Sequence, residues 1–159
     1  MKSADKIAMI RRLAKRQAGA AATLADAIAD LAEPGFAEFA SAKRLTDYLS
    51  ANGFTCTYPW PHNPTAFRAV RGDRGPHIGL LAEYDALPDC GPRPGAFGHG
   101  CGHNLIGTAA AVGAVIASQA LAEHRLPGRI VVWGCPAEEL LAGKAYMARD
   151  GAFRDNDAI

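Results

Sequence analysis

The stretch His77-Ile-Gly-Leu-Leu-Ala82 is a short apolar run that is followed directly by Glu83-Tyr-Asp85. A second run, Arg129-Ile-Val-Val-Trp133, is followed by Gly134-Cys-Pro-Ala-Glu-Glu139. Both runs have the length of buried strands, and the first is apolar enough to be buried on both faces. Carboxylates that follow such strands lie at the carboxyl edge of an α/β sheet, where open sheets bind ligands. These two strand ends are therefore the first place to look for chemistry.

The rest of the chain surrounds these strands with helices. Apolar residues recur at steps of three and four in the helical segments, and Gly, Pro and Asn mark the turns between segments. The predicted elements are one or two helices over 4–31, a helix over 36–51 that ends at Asn52-Gly53, a strand over 65–70, a helix from about 104 to 124, and a helix over 140–150. This order predicts an α/β domain with a mixed sheet flanked by helices.

Composition narrows the classes of protein that fit. The 159 residues suffice for one domain or a piece of a larger one, and the net charge of +1 predicts no general attraction to nucleic acid or membrane. The apolar run over 106–122 contains few large aliphatic residues, which favours a buried helix over a membrane span. No cysteine pair forms Cys-x-x-Cys, which excludes a zinc ribbon or a thioredoxin-like motif. With no signal peptide expected, we predict a cytoplasmic protein with free thiols.

The glycine-rich segment 98–104 contains a thiol and an imidazole at close spacing. Cys101 and His103 are two residues apart, so they cannot share a helix face, but they can converge on one ion at a helix entry. Asn104 is predicted to be the N-cap of the following helix, whose N-terminus favours a thiolate. A thiolate and an imidazole suit Zn²⁺ or a similar ion. The alternative is a glycine-rich turn with a buried cysteine and a structural histidine.

The carboxylates at the two strand ends could serve such a site. Glu138 and Glu139 are adjacent, so one could ligate a metal while the other handles protons. Asp85 could orient a ligating imidazole through its other ring nitrogen. The alternatives are acidic residues in the first turn of a helix and a polar strand end. His99 is expected near the site, whereas the three remaining histidines are expected to be structural: His62, His77 and His124.

Taken together, three ordered motifs resemble the aminoacylase and carboxypeptidase type of co-catalytic metallopeptidases. More narrowly they are similar to the amidohydrolase branch, which includes aminobenzoyl-glutamate hydrolases. The motifs are Ala82-Glu-Tyr-Asp-Ala-Leu-Pro88, Gly98-His-Gly-Cys-Gly-His-Asn-Leu-Ile106 and Gly134-Cys-Pro-Ala-Glu-Glu139. Gly143-Lys-Ala-Tyr-Met147 and Gly151-Ala-Phe153 also fit. The resemblance implies a zinc-peptidase-like catalytic domain.

The resemblance also implies a role for each matching residue. Cys101, His103 and Glu139 would be metal ligands in a site for two divalent ions, Zn²⁺ or Mn²⁺. Glu138 would be the general base that takes a proton from metal-bound water, and Asp85 would be a supporting carboxylate. The reaction would be hydrolysis of the amide bond in an N-acyl amino acid or a dipeptide, and a homodimer would fit the family.

Members of that family are more than twice as long as this chain. They carry later ligand histidines and a lid or dimerisation domain for which residues 1–159 offer no counterpart. The expectation is therefore an N-terminal portion of the catalytic domain. Two alternatives stay open: a non-catalytic remnant that binds one metal ion or none and acts as an interaction module, and a thiol enzyme that uses Cys101.

Overall fold

The order of helices and strands follows the predicted α/β pattern. A computed structural model of the protein describes residues 3–159, apart from the side chain of Leu140. Its elements are α1 (Ser3–Leu31), α2 (Phe39–Ala51), β1 (Thr55–Thr57), β2 (Phe67–Arg71), β3 (His77–Glu83), α3 (His103–Glu123), β4 (Arg129–Cys135), α4 (Glu138–Leu141) and α5 (Gly143–Arg149).

The four strands form one mixed sheet in the order β1-β2-β4-β3. β3 runs parallel to β4, whereas β2 is antiparallel to both β4 and β1. The predicted mixed sheet is thus confirmed. β1 was not predicted, because a strand of three residues is too short to give a recognisable pattern. Because β3 and β4 are parallel neighbours, their carboxyl ends meet at one edge of the sheet.

The two apolar strands differ in how deeply they are buried. β4 lies between two partners and is buried from Ile130 to Cys135. β3 is the edge strand of the described sheet, and its Ile78 is 40% exposed. The prediction of burial on both faces is therefore wrong for β3, because an apolar sequence does not say which strand has two neighbours. The backbone of Gly79 donates a hydrogen bond to Ala158, which covers part of this edge.

Side chains from alternate positions of β4 enter two separate cores. Ile130 and Val132 join the core under α1, α2 and α3, and Val131 and Trp133 join a smaller core with Met147 of α5. This alternation is the two-residue period of a strand with both faces covered. Helices therefore cover both faces of the sheet.

The apolar helix α3 packs against the sheet and against its neighbouring helices. It is long and apolar enough to cross a membrane by length and composition alone. Its contacts are with α1, α2, β3 and β4, and its buried residues include Ala111, Ala114 and Val115. These contacts are those of a core helix, which is what the many small residues predicted.

Left-handed backbone positions account for the shifted helix boundaries. α2 begins at Phe39 rather than Phe36, because Phe36 has a φ of 61°. The predicted helix over 140–150 is interrupted at Ala142, where a φ of 50° separates α4 from α5. α2 ends near Gly53 (φ 82°), as the Asn-Gly pair predicted.

Two glycines of α3 are expected to respond in opposite directions to the same substitution. A Cβ on Gly107 would lie 2.5 Å from the carbonyl oxygen of Glu83, whereas a Cβ on Gly113 would meet only Leu80, at 3.8 Å. Gly107→Ala should lower the free energy of unfolding by about 1–3 kcal/mol through overpacking. Gly113→Ala should raise it by about 0.5–1 kcal/mol through helix propensity. Urea unfolding of both variants checks this pair, and equal stabilities would contradict the close approach at Gly107.

Candidate metal centre

Three side chains of the types that bind metals converge where the ends of β3 and β4 meet the start of α3. The ligand atoms of Cys101, His103 and Glu139 all lie within 4.8 Å of one another. Among the described residues, this is the one group of three or more His, Cys, Asp and Glu side chains close enough to hold an ion. The structure therefore brings together all three residues that were predicted as ligands.

The turn before α3 sets the positions of the thiol and the imidazole. Gly102 is the N-cap and has a φ of 87°, a conformation that glycine adopts without strain. The turn leaves Cys101 just outside the helix and makes His103 its first residue. The prediction that Asn104 is the N-cap is wrong, because the left-handed residue at Gly102 starts the helix earlier. The Asn104 amide instead donates to the carbonyl of Ala25, at 3.4 Å.

Asp85 holds two of the three candidate ligands in place. His103 Nδ1 lies 2.8 Å from Asp85 Oδ1, and the backbone N–H of Glu139 donates to Asp85 Oδ2 at 3.1 Å. His103 and Asp85 are 2% and 3% exposed, so these contacts are shielded from solvent. With its proton on Nδ1, the imidazole presents the Nε2 lone pair to the cluster. This is the orienting contact that was predicted for Asp85.

Three carboxylates surround the free nitrogen of His103. Nε2 lies 3.4 Å from Glu83 Oε2, 3.6 Å from Glu139 Oε1 and 3.8 Å from Glu138 Oε2. Lys144 pairs with Glu83 at 2.5 Å, and its Nζ is 3.8 Å from Glu138 Oε1. Glu138 and Glu139 thus make different contacts: Glu139 faces the thiol and the imidazole, and Glu138 lies between the imidazole and the ammonium group.

Glu83 and Lys144 are members of this cluster to which sequence reasoning gave no role. A signal existed for Glu83, because it directly follows an apolar strand and precedes Asp85. Lys144 gave no such signal beyond its place in Gly143–Met147, which fits the resembled family, because a lysine near the start of a helix is common. Its place in the cluster comes from the packing of the start of α5 near the end of β3, where Lys144 pairs with Glu83.

The charge around Cys101 opposes a free thiolate. The hydrogen bond to Glu139 raises the pKa of the Cys101 thiol, and so do the charges of Glu139, Glu138 and Glu83. These carboxylates therefore oppose the thiolate that the helix N-terminus was predicted to favour. A cation at the centre would reverse this balance, since metal binding stabilises the deprotonated sulfur.

The residues present fit a divalent transition ion. Glu139 Oε1 is buried and has no hydrogen-bond partner, so a carboxylate oxygen faces the cluster unsatisfied. An unpaired buried oxygen is costly unless a cation or a donor meets it. One sulfur, one imidazole nitrogen and one carboxylate oxygen form a donor set that suits Zn²⁺ and related ions.

An apolar cavity of about 180 Å³ lies beside the cluster. Asp85 and Glu139 form its polar side, and the rest of its wall is apolar. The apolar lining residues are Pro34, Gly35, Ala86, Pro88, Phe97, Ala137 and Leu141. An apolar cavity of about 150 Å³ holds a benzene ring. This cavity is therefore large enough for one ring or a branched aliphatic group next to the candidate ligands.

The other histidines make contacts outside the cluster. His99 Nε2 lies 3.2 Å from the carbonyl oxygen of Ile28, and burial lowers the pKa of its imidazole. His77 Nδ1 lies 2.7 Å from the Asp155 carbonyl oxygen. His124, at the end of α3, lies against Met9. His99 therefore joins the glycine-rich segment to α1 and is not among the grouped ligand atoms.

Alkylation of the thiols should distinguish a metal ligand from a nucleophile. We expect iodoacetamide to modify the exposed Cys101 slowly near neutral pH, because its pKa is raised. Saturating Zn²⁺ should suppress that reaction further. Cys135 should stay unmodified in the folded protein, because it is fully buried and burial raises its pKa to about 12. Mass spectrometry of the digested protein gives each rate, and fast Cys101 labelling in excess Zn²⁺ would favour a thiol enzyme.

Known proteins with similar sequences are hydrolases and dipeptidases. One component of the p-aminobenzoyl-glutamate hydrolase of Escherichia coli strain K12 is 42% identical over 145 residues, which cover 85% of this chain and 30% of that protein. The Xaa-Arg dipeptidase of Mus musculus is 35% identical over 179 aligned residues, which cover 99% of this chain and 38% of that protein. The chain thus spans about a third of the length of these relatives. No family model matches it.

Solved structures show the same fold. A Bacillus subtilis protein described as a dinuclear metal binding peptidase from the M20 family superimposes with a TM-score of 0.72 at 23% identity, over 94% of this chain and 41% of that one. The chain has the fold of this M20 peptidase. An aminobenzoyl-glutamate utilization protein from Klebsiella pneumoniae gives a TM-score of 0.71 at 19% identity, over 94% of this chain and 45% of that one. The M20 fold seen here corresponds to about two fifths of these structures.

Proposed function

We propose that this chain is part of an M20 peptidase and that it provides catalytic residues for metal-dependent hydrolysis of an amide bond in an N-acyl amino acid or a dipeptide. The observation that carries the proposal is the arrangement at Asp85, whose two carboxylate oxygens hold the candidate ligands His103 and Glu139. A buried carboxylate that orients a histidine toward a cluster of donor atoms is the usual support of a metal ligand. Sequence relatives that are named as hydrolases and dipeptidases support the same reaction class.

Cys101, His103 and Glu139 would hold the metal. A divalent ion at this point would supply Lewis-acid polarisation of the substrate carbonyl and would lower the pKa of the attacking water. The solved B. subtilis relative is described as dinuclear. We propose two Zn²⁺ or Mn²⁺ ions for the complete centre in this protein too, with the three named residues contributing this chain's share of the ligands.

Glu138 is the proposed general base. Its carboxylate lies within reach of the cluster and is 37% exposed, so it can exchange protons with water and substrate. It would take a proton from the attacking water and deliver it to the leaving amine, so that the proton moves between two reacting groups. Lys144 Nζ lies 3.8 Å from Glu138 Oε1, so a cationic side chain borders the proposed base.

The apolar cavity beside Glu139 is the proposed position of an apolar substrate group. Its size matches one aromatic ring or a branched side chain, and it opens next to the ligands that would face the scissile bond. Names of the relatives include an aminobenzoyl-glutamate hydrolase and Xaa-Arg dipeptidases, which supports acyl-amino acids and dipeptides as the compounds to test.

We further propose a cytoplasmic protein without nucleic acid or membrane partners that works as a homodimer. The net charge of +1 supports the expected absence of nucleic acid and membrane partners, because neither a polyanion nor an anionic lipid would be attracted strongly. Sedimentation at several concentrations tests the dimer.

The decisive experiment measures metal content and hydrolysis together. The protein is loaded with Zn²⁺ or Mn²⁺, desalted, analysed for metal per chain, and then assayed on p-aminobenzoyl-glutamate and Xaa-Arg dipeptides. Glu139→Gln is the ligand control, and Glu123→Gln is the matched control on the exposed end of α3. We expect the wild type and Glu123→Gln to bind metal and to hydrolyse a substrate, and we expect Glu139→Gln to lose both properties.

The other outcomes separate the alternatives. Metal binding without hydrolysis of any tested compound would favour the non-catalytic binding module over the enzyme. Metal content well below one ion per chain would contradict the proposed centre itself.

A further inference from the structure

Glu38 is a buried acidic residue outside the metal cluster that the proposed reaction does not use. It lies just before α2 and is 0% exposed. Burial raises the pKa of its carboxyl group above the ordinary value. A glutamate is seldom buried this deeply without a specific partner. One partner of Glu38 is found far along the chain, in the loop that precedes Glu138 and Glu139.

That partner is the backbone of Ala137. The N–H of Ala137 donates to Glu38 Oε1 at 2.7 Å. Ala137 has φ 54° and ψ 44°, which is the left-handed region where a residue with a Cβ is strained. The next two residues are Glu138 and Glu139. The conformation of Ala137 therefore helps to set the direction in which both carboxylates leave the backbone, together with the hydrogen bond from Glu139 N to Asp85.

The other side of the same turn is blocked by Gly35. A Cβ added at Gly35 would lie 3.0 Å from the Cβ of Ala137 and 3.1 Å from its Cα. The segment from Gly35 to Glu38 thus contacts Ala137 through both a close steric approach and a hydrogen bond. A strained backbone conformation persists only when its surroundings impose it, and these two contacts do so.

We propose that Glu38 is a positioning residue for the metal centre. Its carboxylate holds Ala137 in the left-handed conformation, and this conformation places Glu139 beside His103 and Glu138 at the edge of the cluster. The effect of Glu38 on metal binding rests on the proposed function, since the turn matters to the chemistry only if the cluster binds metal. The hydrogen bond itself can be tested without metal.

Glu33, two residues before the segment 35–38, offers a matched control. It is also an acceptor for backbone N–H groups, because its carboxylate oxygens lie 3.0 Å from Ala40 N and 2.7 Å from Ser41 N. These bonds hold the start of α2 and do not involve Ala137. Replacement of Glu33 therefore disturbs the same helix start while leaving the Ala137 bond in place.

The test combines amide hydrogen exchange with Co²⁺ titration of the whole chain. Exchange at the Ala137 N–H reports the hydrogen bond directly, and Co²⁺–thiolate absorption reports assembly of the cluster around Cys101. The variants are Glu38→Leu, which removes the acceptor, Glu38→Gln, which keeps an oxygen acceptor, and Glu33→Leu as the control. Gly35→Ala displaces the turn at Ala137 from its other side, and it replaces Glu38→Leu in the test if that variant does not fold.

We expect Glu38→Leu to speed exchange at the Ala137 amide at least tenfold and to raise the Co²⁺ dissociation constant at least tenfold. Exchange at Ala114, inside α3, should stay unchanged. Glu38→Gln should remain within about threefold of the wild type in both measurements. Glu33→Leu should speed exchange at Ala40 and Ser41 only. Gly35→Ala should weaken Co²⁺ binding in a folded protein.

Two results would overturn the role of Glu38. One is a folded Glu38→Leu protein whose Ala137 amide exchanges at the wild-type rate. The other is an equal loss of Co²⁺ affinity in Glu33→Leu, which would reduce Glu38 to general support of α2. If the wild type binds no Co²⁺, the proposed function fails, while exchange at Ala137 still decides whether Glu38 holds the turn.

Discussion

Replacing Glu138 with glutamine is expected to lower kcat for hydrolysis of an acyl-amino acid by about 10²- to 10⁴-fold, the usual contribution of a positioned general base. The amide fills the same volume but cannot accept a proton near neutral pH. Metal content should stay at the wild-type level, because Glu138 is not among the three grouped ligand atoms. Steady-state kinetics and elemental analysis on the same sample check both halves of the expectation.

Glu139→Gln is the matched control for that substitution, because it makes the identical chemical change one residue away. It should lower metal content, since Glu139 supplies the buried oxygen that lacks a partner. Wild-type turnover in metal-loaded Glu138→Gln would remove Glu138 from the reaction. Loss of metal in both variants would mean that Glu138 is a ligand rather than a base.

Asp85→Asn is expected to weaken metal binding by about 10- to 100-fold. Both carboxylate oxygens of Asp85 accept hydrogen bonds, one from His103 and one from the Glu139 backbone. An amide offers only one oxygen, so one of the two bonds is lost whichever way the side chain turns, as long as the imidazole keeps its proton on Nδ1 and Nε2 is free for the metal. Titration with Zn²⁺ against a competing chelator measures the effect.

The control for Asp85→Asn is the same change on the surface. Asp47 pairs with Lys43 on the exposed face of α2, and Asp47→Asn should leave metal affinity unchanged. An unaltered affinity in Asp85→Asn would show that His103 and Glu139 are held by other contacts. Thermal unfolding of both variants is measured without metal. A wild-type melting temperature for Asp85→Asn would show that the weaker binding comes from the lost support of the ligands and not from loss of the fold.

Much of the fold was predictable because the strands and helices carry strong local patterns. The apolar runs at β3 and β4 and the small-residue helix α3 were found within a few residues of their bounds. The order of the strands could not be predicted, because contacts between distant segments decide which strand lies at the centre of the sheet. The exposed Ile78 illustrates this, since nothing in its own sequence distinguishes an edge strand from a central one.

The candidate site was predictable where its residues stand in compact motifs. Cys101 and His103 follow from their spacing at a helix entry, whereas the choice of Glu139 over Glu138 came from the resemblance to the metallopeptidases. The structure brings all three together. Glu38 was beyond reach, because its partner lies almost a hundred positions away and its surroundings in sequence suggest an ordinary helix start.

The parallel pairing of β3 and β4 determines when the centre can exist during folding. Asp85 and Glu139 meet only after the entire α3 crossover has been formed and β3 has docked in register, so no local fragment of the chain carries the site. A slip of one position in that pairing would turn each side chain of the strand toward the opposite face. Metal binding should therefore require the native sheet with β3 and β4 in register. A partly folded chain should bind no metal, however much helix it contains.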